Sequence, residues 1–204
     1  TSYVVDLGGG RALAVDPSID LRAVVRTAGE RDLRIVAAVE THLHADFVSG
    51  LRRLVDEGVR VLAPAHGGRR FAHEGLRDGD EVPLGGLTVT ALGTPGHTPD
   101  HLAYVLGDRS GPLGVFTGGS LIVGGAARTD LVDPTRTEEL ARAQYASLRR
   151  LVGAVPGEAA VWPTHGAGSF CSAEPGRGLT SSVERELATN PLLGAPDEET
   201  FVRA

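Results

Sequence analysis

Thr41-His42-Leu43-His44-Ala45-Asp46-Phe47 is the stretch whose reading decides the fold. Two histidines stand two residues apart, and an aspartate follows two residues later. The apolar run 35–39 before them reads as a buried strand, and 48–55 after them reads as an amphipathic helix. The triplet therefore sits on a strand-to-helix loop, where α/β proteins place their chemistry. Imidazole and carboxylate are ligands that zinc, iron and manganese accept.

Two further histidines stand in similar places. Gly93-Thr94-Pro95-Gly96-His97 follows a strand-like run at 87–92, and Trp162-Pro163-Thr164-His165-Gly166 follows another at 159–161. Proline and glycine beside each histidine mark the end of an element. Histidines recurring at strand ends, with Asp46, point to a metal centre, whereas a lone loop histidine would not.

Outward from these loops the pattern is mostly strand. A hairpin is expected from 3–7 and 12–16 across Gly8-Gly9-Gly10, then a helix over 21–29 and a strand over 59–63. Strands are expected over 81–84, 87–92, 101–106 and 113–116. Thr135 with Glu138, and Ser181 with Glu184, have capping-box spacing and predict two helix starts. Residues 201–204 resemble the first turn of another helix. Strands first, then alternation with helices, implies two packed sheets with helices outside.

Bulk properties exclude several function classes. The chain has 204 residues, 41% of them hydrophobic, which suits one globular domain. A net charge of −6 argues against nucleic acid and anionic membrane as partners. No apolar run is long enough to span a bilayer, and no signal peptide is visible. The single cysteine, Cys171, excludes an internal disulfide and fits a reducing, cytoplasmic setting.

These motifs resemble the metallo-β-lactamase superfamily, with His42, His44 and Asp46 on its first histidine motif, His97 on its second and His165 on its last. The resemblance covers almost the whole chain. It implies an αββα sandwich, two mixed β-sheets flanked by helices, with metal at one edge. Within the superfamily the sequence is most similar to persulfide dioxygenases and their rhodanese-fused relatives. That likeness is carried by residues 41–46, Phe116-Thr117-Gly118, Arg128-Thr129-Asp130, the segment 164–171 and Thr189-Asn190-Pro191. It implies a single domain over 1–204 that continues past Ala204 into a rhodanese-like domain.

Two positions depart from the family pattern. Phe47 stands where the resemblance places a third loop histidine, and Gly119 where it places a metal-bridging aspartate. The iron set that the resemblance implies would be His42, His97 and a carboxylate missing at Gly119. His42, His44 and His97 remain to hold one metal ion, Fe(II) or Zn(II). Asp46 is then the base or orients a water, and His165 has a proton-transfer role. Gly119→Asp is expected to tighten iron binding, provided that the loop turns Cβ toward the metal and that Gly119 does not need positive φ.

Arg128 could bind a substrate carboxylate or pair with Asp130, and Cys171 could face a sulfur substrate or be inert. Asp100 and His101, close behind His97, could supply a hydrogen bond that orients a metal histidine, or His101 could simply begin a strand; His66 and His73, near Arg69 and Arg70, read as surface residues. The expected activity is oxidation of a low-molecular-weight thiol persulfide, such as glutathione persulfide, with O₂. The alternatives are a mononuclear zinc thioesterase of the hydroxyacylglutathione hydrolase type, and a catalytically impaired binding domain attached to a rhodanese. The expected partner is thus a small thiol-derived substrate. A homodimer and a covalently linked rhodanese are the macromolecular associations left open.

Overall fold

Alternation of side chains along the strands builds two sheets that share one core. The structure, a computed structural model, describes residues 1–166 and 178–203. The chain opens with β1 (Tyr3–Gly8) and β2 (Arg11–Val15), antiparallel across the glycine turn. Gly8, Gly9 and Gly10 all have positive φ, which side-chain-bearing residues adopt at a cost. Helix α1 (Arg22–Gly29), β3 (Arg34–Val39), α2 (Leu51–Asp56), β4 (Arg60–Pro64) and β5 (Glu74–Leu76) follow. They complete a five-stranded sheet in the order β1-β2-β3-β4-β5, parallel from β2 onward.

The second sheet comprises β6 (Glu81–Leu84), β7 (Leu87–Gly93), β8 (Leu102–Asp108), β9 (Gly111–Gly118), β10 (Ala160–Pro163) and β11 (Ser181–Ser182). Its order is β11-β10-β9-β8-β7-β6. Both sheets are mixed. β10 runs parallel to β9, and every other pair is antiparallel.

Leu13, Val15, Ala37, Val39 and Leu62 of the first sheet meet Val89, Tyr104, Leu106 and Phe116 of the second. The intervening residues face outward. Ala14 and Ala38 pack under α1 and α2 with Val24, Leu51 and Leu54. Ala103, Val115 and Val161 pack under α3 (Thr137–Ala154), α4 (Val183–Thr189) and α5 (Glu198–Arg203) with Leu148, Leu151 and Phe201. The layers are helix, sheet, sheet, helix. Among the described residues no helix is long and apolar enough to cross a membrane.

The helix starts differ in detail from the capping-box spacing. A 3₁₀ turn over Pro134–Arg136 precedes α3, and Asp133 caps it by accepting from the Thr135 amide at 2.9 Å. Ser182, not Ser181, caps α4. A local pattern cannot separate adjacent polar residues that compete for the same N–H groups. Helix α2 begins at Leu51, three residues later than expected, because 48–50 instead joins the 17–19 segment. Ile19 N–H donates to Val48 O and Gly50 N–H to Pro17 O.

Topology brings the site together. β7 is antiparallel to β8, which is antiparallel to β9, so β7, β9 and β10 end at the same edge of the second sheet. β2 and β3 are parallel in the first sheet. Backbone and side chains staple the two sheets at that edge. Leu102 N–H donates to Thr41 O at 2.9 Å, and the Tyr104 hydroxyl donates to Glu40 O at 2.9 Å.

Leu151 of α3 is fully buried, whereas Leu187 of α4 is 52% exposed. Leu151→Ala should cost about 2–5 kcal/mol in urea unfolding, and Leu187→Ala no more than about 0.5 kcal/mol. Equal losses would show that α3 is not seated as described.

Candidate metal centre

Four imidazoles from three loops converge at this edge. His42 and His44 follow β3, His97 follows β7 and His165 follows β10. The His42 ring lies 4.2 Å from that of His44, 4.9 Å from that of His97 and 5.1 Å from that of His165, centroid to centroid. His42, His97 and His165 are at most 2% exposed. The donor atoms of His42, His44 and His165 all lie within 4.8 Å of one another. His97 is outside that set, although its ring lies 5.3 Å from that of His165.

The hydrogen-bond partners fix the tautomers. The Thr41 hydroxyl gives its one proton to Asp16 Oδ2 at 2.8 Å, so His42 Nδ1 must donate to Thr41 Oγ1 at 2.8 Å. His165 Nδ1 faces Asp46 Oδ2 at 3.3 Å, where only a donor is stabilised. His97 Nδ1 donates to the carbonyl of Arg128 at 2.7 Å. In the neutral form of each ring Nε2 is then left with a lone pair.

His42 Nε2 and His165 Nε2 face each other at 3.0 Å. Two lone pairs that close need a cation between them. Two nitrogens about 2.0 Å from a tetrahedral zinc ion would stand about 3.3 Å apart, so the spacing suits a shared ion. His44 supports the same reading. Its side chain is 1% exposed, and neither ring nitrogen has a hydrogen-bond partner among the described residues. Nε2 is 3.3 Å from Asp16 Oδ1 but is poorly aligned for a hydrogen bond. Buried imidazoles with inward lone pairs fit a divalent ion of the zinc or iron class.

The two departures from the expected ligand set have physical consequences. Phe47 stacks on His44, rings 4.1 Å apart and 24° from parallel. At Gly119 a Cβ would meet the His97 ring at 2.4 to 3.0 Å. The space for a carboxylate there is filled by His97. Gly119 does not have positive φ, but its neighbour Gly118 does, at 56°. A Cβ on Gly118 would lie 2.5 Å from His101 Nε2 and 2.7 Å from Thr41 Oγ1.

His101 does more than start a strand. It is buried and stacks on His42 at 4.8 Å, accepts from Gly119 N–H at 3.0 Å and bonds to Thr94 Oγ1 at 2.8 Å. Both its nitrogens are used, so it orients the site from behind. Gln144 of α3 accepts from His97 N–H at 2.8 Å and donates to Ser120 O. Asp16 and Gln144 carry no local signal for these roles, since their partners lie far away in sequence, whereas the closeness of His101 to His97 was a local signal for a supporting role. Arg128 and Asp130 form an ion pair at the rim, with side chains 41% and 35% exposed. Cys171 lies outside the described residues.

Burial first, then the charge of neighbouring histidines, holds His42 and His101 well below the ordinary imidazole range. Burial likewise brings His97 down to about 4, against the opposing Arg128 hydrogen bond. These rings are neutral at pH 7, the state that binds metal. Asp46 is brought down to about 2, chiefly by its hydrogen bond with His165.

The sequence model of the Metallo-beta-lactamase superfamily matches residues 1–157. Persulfide dioxygenase ETHE1 of Homo sapiens is 30% identical over the whole chain, which spans 74% of that protein. Hydroxyacylglutathione hydrolase of Hahella chejuensis is 32% identical over 76% of the chain and 57% of its own length. Among solved structures, the metallo-beta-lactamase from Staphylococcus aureus superposes with a TM-score of 0.88 at 30% identity. It matches 98% of this chain, which spans only 61% of the staphylococcal one. ETHE1 from Myxococcus xanthus gives 0.83 at 29% identity, with 99% and 83% covered. These relatives are enzymes.

Two outcomes follow. An unfolded histidine titrates near 6.5, whereas folded His97 titrates at about 4. Between those values the unfolded chain binds the proton and the fold does not. Stability of metal-free protein should therefore fall as pH drops from about 6.5 to 4, by up to about 1.4 kcal/mol per pH unit for each such ring. A flat urea-unfolding profile over that range would contradict the burial of these rings. Gly119→Asp must displace His97, so it should destabilise metal-free protein by about 1–3 kcal/mol. Unchanged stability would mean that His97 leaves the Gly119 space freely and that the carboxylate can be restored there without strain.

Proposed function

The chain belongs to the metallo-beta-lactamase superfamily, and from its histidine geometry we propose a single-ion enzyme that oxidises a low-molecular-weight thiol persulfide with O₂. The observation that carries the metal is the pair of lone-pair nitrogens on His42 and His165, 3.0 Å apart and buried. What favours the persulfide reaction is similarity to a persulfide dioxygenase along the whole chain. His42, His44 and His165 would hold the ion, with His97 as the fourth imidazole beside it. When bound, ferrous iron supplies O₂ activation, and zinc would supply Lewis acidity toward a thioester carbonyl.

The chain's own residues do the rest. Asp46 Oδ2 faces His165 Nδ1 at 3.3 Å, which favours a proton on Nδ1 and raises the basicity of Nε2. Thr41 does the same for His42 and passes the load to the buried Asp16 carboxylate. His97 and His42 close the inner wall against water. Arg128 stands at the rim beside His97, to which its carbonyl is bonded, and is a candidate for a carboxylate of the thiol carrier. The Asp130 pair competes for that guanidinium and would have to open.

A second reading is a zinc thioesterase. The specific observation for it is a donor set that, among the described residues, is all imidazole, since three imidazoles with an open fourth position are one arrangement of catalytic zinc. Metal-stripped protein reloaded separately with Fe(II) and Zn(II) distinguishes the two. With iron we expect O₂ consumption on glutathione persulfide, falling about 10–100-fold in Asp46→Asn. Hydrolysis of a hydroxyacylglutathione by the zinc form, without O₂ uptake by the iron form, would replace the first reading with the second. Neither activity in metal-loaded protein would leave a binding domain.

A further inference from the structure

Arg69 is not a surface residue, although it lies in an exposed, glycine-rich segment between β4 and β5. Its side chain is 1% exposed and sits between two buried carboxylates. Nε donates to Glu40 Oε2 at 2.8 Å, and Nη1 donates to Asp100 Oδ2 at 3.1 Å. Nη1 also donates to the carbonyl of His66 at 3.0 Å. Glu40 is 1% and Asp100 7% exposed.

Each carboxylate belongs to a different histidine loop. Glu40 lies two residues before His42, and its carbonyl is held by Tyr104. Asp100 lies three residues after His97 and accepts from the Thr98 hydroxyl at 2.7 Å. One guanidinium thus spans the loops that follow β3, β4 and β7. Gly67 makes room for it, because a Cβ there would meet Asp100 Oδ2 at 2.5 Å and Arg69 Nη1 at 2.8 Å.

A buried triad of this kind is a poor source of stability. Desolvation offsets most of its Coulombic gain, and apolar side chains of similar volume often do as well. Here the triad is also imperfect, since Glu40 Oε1 and Arg69 Nη2 have no hydrogen-bond partner among the described residues. What an apolar cluster cannot do is fix two loops to a forked donor with directional bonds.

We infer that Arg69 is a positioning residue for the metal centre: with Glu40 and Asp100 it forms a crossbar that sets the spacing of the His42 and His97 loops. The two rings stand 4.9 Å apart. Without the guanidinium, two buried carboxylates would face each other and push the loops apart. A lysine keeps the charge but has no rigid fork to hold both carboxylates in place. This role rests on the metal centre proposed above and is independent of which substrate is used.

Cobalt(II) loading tests it, with affinity read by chelator competition and coordination by the visible ligand-field bands. Arg69→Met and Arg69→Lys are compared with Leu151→Ala, a lesion on the far face of the second sheet that lowers stability without touching the site. Both Arg69 variants should bind cobalt at least about tenfold more weakly than Leu151→Ala, with shifted bands. Affinity and bands equal to those of Leu151→Ala in either Arg69 variant would overturn the crossbar while leaving the metal centre intact. If Arg69→Met does not fold, Arg69→Lys decides by the same criterion. Wild-type protein that takes up no cobalt would overturn the metal centre and this role with it.

Discussion

The buried carboxylate of Asp16 is the constraint on which the site depends. It ends β2 at φ 47°, fully out of solvent. It accepts from Thr41 N–H at 2.7 Å and from the hydroxyls of Thr41 and Thr164, and it lies 3.3 Å from His44. These partners come from both sheets. Burial alone would raise its pKa, but His44 and the hydroxyl and amide donors together bring it down to about 2. A permanent negative charge therefore stands behind His42 and His44. It orders the loop after β3 and offsets the charge of an ion in front. Left-handed backbone at an aspartate costs energy that only these bonds justify.

Much of this was legible in the chain. Strand ends followed by histidine mark three of the loops that meet, and the strand-like runs at 87–92 and 101–106 stand as β7 and β8. What no local pattern gives is the supporting shell. Asp16 reaches Thr164 across 148 positions, and Gln144 reaches His97 across 47. Arg69 looks like one of many scattered arginines until folding buries it between Glu40 and Asp100. His101 carries the same residue type as the cluster, yet its strand position says nothing of its bond to Gly119 N–H. Short elements such as β5 and β11 exist through pairing with a neighbour and have too few residues for a period.

Phe47 and Gly119 change the chemistry in one direction. Each removes a donor that the family resemblance implies, and each space is used by a ring, Phe47 on His44 and His97 over Gly119. What remains nearest the centre is imidazole, with Asp46 turned to His165. Neutral ligands would leave more positive charge on a bound divalent ion than a carboxylate set would.

X-ray absorption at the metal edge of protein loaded with a slight excess of metal and then dialysed separates one ion from two. A single ion with a nitrogen-rich shell at about 2.0–2.1 Å and the multiple-scattering pattern of several imidazoles is expected. A metal–metal vector at about 3.5–4 Å would contradict it, because that distance belongs to a two-ion site.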